Sequence, residues 1–227
     1  MTNIAERITR IDADIRRLEE EYTRTPGSVQ LLAVSKRHSE EKIREAAEAG
    51  LKDFGENYLQ EGLEKIQNLE GLGLNWHFIG PIQSNKTRGI AEHFHWVHSV
   101  ERQKIAQRLS EQRPESLPPL NVCIQINLSE EASKSGTSFE DATKLCDDVA
   151  SLPRLNLRGL MAIPAPITDF EEQRACFSEL KDLFNQMKQS HEGMDTLSMG
   201  MSNDYPAAIA EGSTMIRLGT AIFGPRN

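Results

Sequence analysis

No segment of these 227 residues approaches the ~20 consecutive apolar residues of a membrane-spanning helix, and the opening MTNIAERITR carries charges where a secretory signal needs an apolar core. The expectation is a cytoplasmic protein with no membrane partner. Cysteine is scarce: Cys123, Cys146 and Cys176 are odd in number and widely spaced, with no C-x-x-C pair. That pattern excludes a disulfide framework or a zinc knuckle, and the three read as reduced packing residues. Basic residues are outnumbered, 26 Lys+Arg against 34 Asp+Glu for a net charge of -8. Binding to a phosphate backbone needs clustered cations, so nucleic acid is not an expected partner. There is no low-complexity tract, no repeat and no linker; 113-119 (RPESLPP) is the one proline-rich stretch. What remains is ordinary globular composition, 38% hydrophobic and 26% charged, of a length for one or two domains.

Ile4, Ile8, Ile11, Ile15, Leu18 and Tyr22 recur at spacings of four and three, one stripe of an amphipathic helix within residues 1-25. After Pro26-Gly27, residues 30-35 (QLLAVS) read as a short buried strand, and Ser39 then caps a helix that stops at Ala49-Gly50. The same cycle recurs. Further strands are expected near 52-54, 75-79, 95-98, 120-128, 155-163, 195-199 and 215-219. Helices fit near 57-70, 83-92, 101-112, 138-151, 168-189 and 203-212, with Thr168 and Glu171 as a capping box. Eight strands at about 26 residues per unit suit a single (β/α)8 TIM barrel over 30-224 with an extra N-terminal helix. An open doubly wound sheet is the competing arrangement, weakened because no G-x-G-x-x-G follows the first strand.

In a barrel, reactive groups belong at the C-terminal strand ends, and phosphate is commonly held by the loops after strands seven and eight. Lys36 ends strand one directly after LLAVS, where shielding makes an amine available as a Schiff-base nucleophile. On position alone, a lysine leaving a strand for solvent is the commoner case. Ser202, at the start of a helix with Pro206 in its first turn, belongs to an anion site formed with backbone amides. Arg217, Gly219 and Thr220 offer a cation and a close backbone approach after strand eight. Together these occupy the two phosphate loops of a barrel. Alternation turns His77 away from Trp76 and Phe78 and so toward the barrel mouth, although a hydrogen-bonded structural histidine is the more frequent case.

Two further motifs carry less. Residues 80-87 (GPIQSNKT) have P-loop spacing, but Asn85 stands where the second glycine belongs and Pro81 removes an amide donor, which counts against a nucleotide hydrolase. Read in a strand, His93 and His95 share a face while His98 points to the other, so three convergent metal ligands are not expected.

LLAVSK ending at Lys36, FGENYLQE at 54-61, WHFIGPIQSNK at 76-86, NLSEEASKSG at 127-136, LSMGMSND at 197-204 and RLGTAIFG at 217-224 together resemble the pyridoxal phosphate homeostasis protein family. The resemblance implies a barrel similar to the N-terminal one of alanine racemase, holding pyridoxal 5′-phosphate as a Schiff base. It makes Lys36 the Schiff-base lysine, Arg217 the residue facing the pyridine nitrogen, Ser202, Gly219 and Thr220 the phosphate contacts, and Asn57 and His77 pocket-lining residues. A second lysine, usual in the family two positions after the first, is replaced here by His38.

An always-charged arginine against the pyridine nitrogen weakens the cofactor as an electron sink. No second domain to supply an opposing acid/base group follows the barrel in this sequence. The expected function is therefore that of a monomeric pyridoxal phosphate carrier, not an enzyme, with apo forms of pyridoxal-dependent enzymes as partners. A low-activity amino-acid racemase is the rival, and Lys134, among polar loop residues, is a candidate secondary site.

Overall fold

The computed structural model describes residues 3-128 and 135-225. Eight parallel strands close into a barrel in sequence order. They are β1 (Gln30–Val34), β2 (Asp53–Glu56), β3 (Asn75–Phe78), β4 (Trp96–Val100), β5 (Leu120–Ile126), β6 (Leu155–Ala162), β7 (Thr196–Ser198) and β8 (Met215–Leu218). Helix α1 (Ile4–Glu21) precedes them, and α2 (Glu40–Glu48), α3 (Leu59–Asn68), α4 (Thr87–His93), α5 (Gln103–Gln112), α6 (Phe139–Ala150), α7 (Phe170–Ser190), α8 (Tyr205–Ala210) and α9 (Thr220–Phe223) follow the strands in turn. Closure rests on β1 pairing with β8, Leu32 opposite Arg217 and Ala33 opposite Leu218. The open-sheet alternative is thereby excluded.

Four local expectations change. Ser39 stands at the N-cap position of α2, but its side chain makes no capping hydrogen bond. The cap of α7 is Asp169, whose carboxylate accepts from the amides of Glu171 and Glu172, so the capping role sits one residue beyond Thr168. Helix α4 starts only at Thr87, because residues 83-86 form a turn closed by Lys86 N–H to Gln83 O. The short α9 after β8 was not expected.

Strand alternation separates two interiors. Ala33, Phe54, Trp76, Phe78 and Val97 point outward and share one continuous apolar cluster with the helices. Leu32, Cys123, Met161 and Met215 are also buried but stand apart from it, inside the barrel. Polar groups accompany them there. His98 on β4 bonds Ser198 on β7 at 2.9 Å, and since β4 and β7 are not neighbours the bond crosses the barrel interior.

Helix α1 lies across the closure. Its stripe Ile4, Ile8, Ile11, Ile15 and Leu18 is buried, as the spacing predicts. It packs on α2 at one side of the seam and on α8 and α9 at the other. Arg7 donates to Ile222 O, and Arg24, just beyond the helix, donates to Ile209 O and Ser213 O. At its end Glu19 is 1% exposed and accepts from the amides of Gly27 and Val29, both at 2.9 Å, while pairing with Arg16.

Removing that carboxylate leaves the buried Val29 amide without an acceptor, at a cost of about 1–3 kcal/mol, while the amide of exposed Gly27 can turn to water. Glu19→Ala is expected to lower unfolding free energy by about 1–3 kcal/mol, read from chemical denaturation; a change below about half a kcal/mol shows that water replaces the carboxylate freely.

The interior histidines give a pH dependence. Burial pushes His98 well below the ordinary 6.5, and His77 and Arg217 push it further. Burial also lowers His77, with Asp53 partly opposing. The unfolded chain takes up these protons below pH 6.5 and the folded chain does not, so stability present above 6.5 falls as the pH drops, by at most about 1.4 kcal/mol per pH unit for each histidine. His98→Gln is expected to flatten that fall between pH 6.5 and 5.5, measured by denaturation at each pH. An unaltered slope would assign the titration to other groups.

Candidate ligand-binding cleft at the barrel mouth

The site begins with the chain leaving β1. Ser35 O accepts from Lys65 Nζ at 2.8 Å, and the amide of Arg37 is bound by Glu61. Arg37 itself has φ 60, a left-handed backbone that few non-glycine residues adopt. The peptides on both sides of Lys36 are thus fixed. Lys65 is buried and also pairs with Glu56 at 2.7 Å and Glu61 at 2.6 Å, while the Ser35 hydroxyl donates to Glu56 Oε1 at 2.6 Å. Burial pushes the Glu56 carboxyl up despite that lysine.

Lys36, half-buried, opens into a cleft whose free volume, mouth included, is about 560 Å³. Arg217 lines it from β8, Asn57 from the end of β2, and Ser202, Gly219 and Thr220 from the turns after β7 and β8. Six of the seven residues singled out from the sequence therefore converge on one space. Val34, Ile79, Ile163 and Met201 supply apolar walls that the sequence reading did not name. Ile163, 46% exposed just beyond β6, carries the one sequence signal among them, an apolar residue left at a strand end.

The two anion turns are built differently. After β7, the Asp204 carboxylate accepts from the Met201 amide, and Arg217 N–H bonds Gly200 O at 2.9 Å, tying the turn to β8. Gly200 has φ +97, and a Cβ there would meet Ala208 Cβ at 2.7 Å, so only glycine fits. After β8, Ile222 N–H makes the first bond of α9, to Gly219 O. The Thr220 and Ala221 amides precede it and face the end where an anion is favoured.

Arg217 is 4% exposed. Its Nη1 donates to Ser198 O at 2.6 Å and to Ser198 Oγ at 3.0 Å, and its Nη2 to Ala162 O at 2.8 Å. Burial lowers it to about 10, which leaves it charged at neutral pH. Asn57 Oδ1 is buried with no hydrogen-bond partner, a polar atom in a cleft-lining residue whose acceptor capacity is unused.

His77 does not reach the cleft. It lies one step deeper on β3, in register with Gly55 and Trp96, and Ile79 takes the inward position at the mouth. Its Nε2 points down to Asp53 at the start of β2, at 3.0 Å, and its Nδ1 to His98 Nε2 at 2.9 Å. It is the structural histidine that base rates favour.

The remaining motifs take other places. Gly80 packs on Asn57, where a Cβ would lie 2.2 Å from a backbone oxygen, and the Thr87 hydroxyl is engaged by Ser84 O and Arg108. A nucleotide loop needs those groups open. His93 is on α4, not on a strand, bonded to Gly89 O, while His95 Nδ1 accepts from Trp76 N. Lys134 lies outside the described residues.

A family model for the alanine racemase N-terminal domain matches residues 8–227. Curated relatives described as pyridoxal phosphate homeostasis proteins include one from Pseudomonas aeruginosa, 59% identical over all of this chain and 97% of its own length. Another, from Escherichia coli K12, is 50% identical over 100% of this chain and 98% of its own length. Among solved structures, PipY of Synechococcus elongatus with pyridoxal phosphate bound superposes with a TM-score of 0.83 at 36% identity, covering 98% of this chain and 100% of that one. Alanine racemase from Corynebacterium glutamicum shares the fold, with a TM-score of 0.69 at 17% identity over 95% of this chain and 61% of the enzyme. A barrel with its charged cleft, matched over nearly its whole length, thus belongs to the alanine racemase N-terminal domain family and, within it, to the pyridoxal phosphate homeostasis proteins.

Proposed function

We propose that this protein holds pyridoxal 5′-phosphate in the cleft, joined reversibly to Lys36, and acts as a carrier or buffer of the reactive aldehyde. The observation that carries the reading is the meeting of one amine on a fixed backbone, one buried guanidinium and two anion-favouring turns in a single space. The residues fit the group: apolar walls suit a planar ring, and the unpartnered Asn57 oxygen suits a polar ring substituent. The names of the relatives and the cofactor held by PipY support the same reading.

Bound there, pyridoxal phosphate supplies an aldehyde carbon that an amine joins with loss of one water, a linkage reversed by hydrolysis or by a second amine. Lys36 provides the amine. The Ser202 and Thr220 hydroxyls, with the first amides of α9, would hold and orient the phosphate. Arg217, a guanidinium that stays charged, would face the ring nitrogen and donate to it without releasing its proton, which would keep that nitrogen unprotonated and carbanion chemistry weak. Racemisation needs acid/base groups on both faces of the substrate carbon. Among the described residues lining the cleft, Lys36 and Arg217 are the titratable ones, and Arg217 remains charged. Carriage is what this set of groups supports.

Purified protein is expected to be yellow, and borohydride followed by peptide mass mapping is expected to place the cofactor on Lys36; an adduct on another lysine overturns the assignment. Ser202→Ala combined with Thr220→Ala removes two donors to a charged phosphate, about 1.5–3 kcal/mol each. Cofactor loss on dialysis is expected to quicken at least tenfold while the fold is kept; equal loss places the phosphate elsewhere. Loaded protein mixed with an apo pyridoxal-dependent enzyme is expected to restore that enzyme's activity, with no more than trace racemisation of L-alanine by itself. Vigorous racemisation would favour the enzyme reading.

A further inference from the structure

A line of side chains runs through the barrel from its N-terminal end to the floor of the cleft. Asp53 Oδ1 meets His77 Nε2 at 3.0 Å, His77 Nδ1 meets His98 Nε2 at 2.9 Å, His98 Nδ1 meets Ser198 Oγ at 2.9 Å, and Ser198 Oγ meets Arg217 Nη1 at 3.0 Å. Five residues from β2, β3, β4, β7 and β8 are joined by four bonds, and His77, His98 and Ser198 are wholly buried.

With both histidines neutral, the donors in this line have one consistent order. Arg217 has no acceptor, so its N–H donates to Ser198 Oγ. At the other end a carboxylate can only accept, and Asp53 is also held by Asn75 Nδ2 at 3.1 Å on the same oxygen. His77 therefore donates from Nε2, which makes its Nδ1 an acceptor in a neutral ring. His98 donates to that atom from Nε2, and its Nδ1 accepts the proton of Ser198. Every bond then points from the cation to the anion, with both rings neutral and in the Nε2–H form. With both rings neutral, the state that burial favours, moving the proton of either ring from Nε2 to Nδ1 sets two donors or two acceptors against each other somewhere in the line. His77 is further fixed by stacking on Trp96, with centroids 5.4 Å apart and planes within 7°.

We propose that Asp53, His77, His98 and Ser198 are positioning residues for Arg217. They set the guanidinium from behind through one directed chain of hydrogen bonds, so that its uncommitted N–H groups are presented to the cleft. Arginine has five N–H groups; three donate to Ser198 O, Ser198 Oγ and Ala162 O, and two are left for a ligand. The net charge of the line is zero, Arg217 against Asp53 at its far end; the Asp204 carboxylate, in the turn after β7, also acts on Arg217 through space. Only the last step, that the ligand is pyridoxal phosphate, rests on the function proposed above.

The test uses the full-length protein in two arms. In the cofactor-free arm, side-chain nitrogen NMR at pH 7 is expected to show His77 and His98 neutral with the proton on Nε2, and the Arg217 guanidinium slow to rotate. In His77→Phe, which touches neither cleft nor Arg217, that rotation is expected to quicken. A charged ring, an Nδ1–H form, or unchanged rotation in folded His77→Phe overturns the proposal. In the loaded arm, His77→Phe is expected to shift the visible band of bound pyridoxal phosphate and to speed its release about tenfold, and Ser198→Ala to do the same. Unchanged band and release in both overturn the coupling to the ligand. Should His77→Phe fail to fold, Ser198→Ala, which deletes a single oxygen, decides both arms. Wild-type protein that takes up no pyridoxal phosphate sinks the cofactor reading instead, and the cofactor-free arm still decides the chain.

Discussion

The pairing of β1 with β8 is the constraint on which the rest depends. Lys36 leaves one of these strands and Arg217 stands on the other, near opposite ends of the sequence, and only closure sets Leu32 beside Arg217 and Ala33 beside Leu218. Gly219 and Thr220 follow directly, so the amine and one anion turn become neighbours by the same event. The second anion turn is drawn in through Arg217 N–H to Gly200 O. A flat sheet with these strands at its two edges would hold the same residues and no site. The long-range contact is costly in chain entropy, and α1 reinforces it by packing on helices from both sides of the seam.

Charge inside the barrel is arranged to be used in one place. A buried guanidinium is costly unless its donors are met, and Arg217 bonds backbone carbonyls and a serine, with the Asp204 carboxylate acting on it only through space. Lys65, by contrast, is neutralised on the spot by Glu56 and Glu61 and works only on the backbone before Lys36. Two buried cations thus differ in role. One is spent on shaping the turn, and the other keeps an electrostatic field directed at the cleft.

Much of the fold was legible because parallel strands buried on both faces are short apolar runs, such as LLAV before Lys36 and NVCIQI before Asn127. The helix of residues 4-21 was equally clear from its isoleucine stripe. Lys36, Ser202, Arg217, Gly219 and Thr220 were found because barrels place reactive groups at known strand ends, and Asn57 through family resemblance. His77 was misplaced for a definite reason: period-two alternation tells inside from outside but carries no depth along a strand, and one residue separates His77 from the mouth position of Ile79. Asp53, His98 and Ser198 gave no signal as partners, since the bond from β4 to β7 joins residues a hundred positions apart. Adjacent capping candidates, Thr168 and Asp169, differ only in which side chain reaches the free amides, which composition does not settle.

Helix α1 is translated before any element it packs against, and α8 and α9 are translated last. Until residue 223 has emerged, the stripe Ile4, Ile8, Ile11, Ile15 and Leu18 has only α2 to cover it and presents an amphipathic, adhesive face to the cell. Growing chains therefore display a sticky helix before its full cover exists. The helix that braces the closure is thus the element whose own cover is completed latest in synthesis, and it is sealed only once residues 205-223 have emerged.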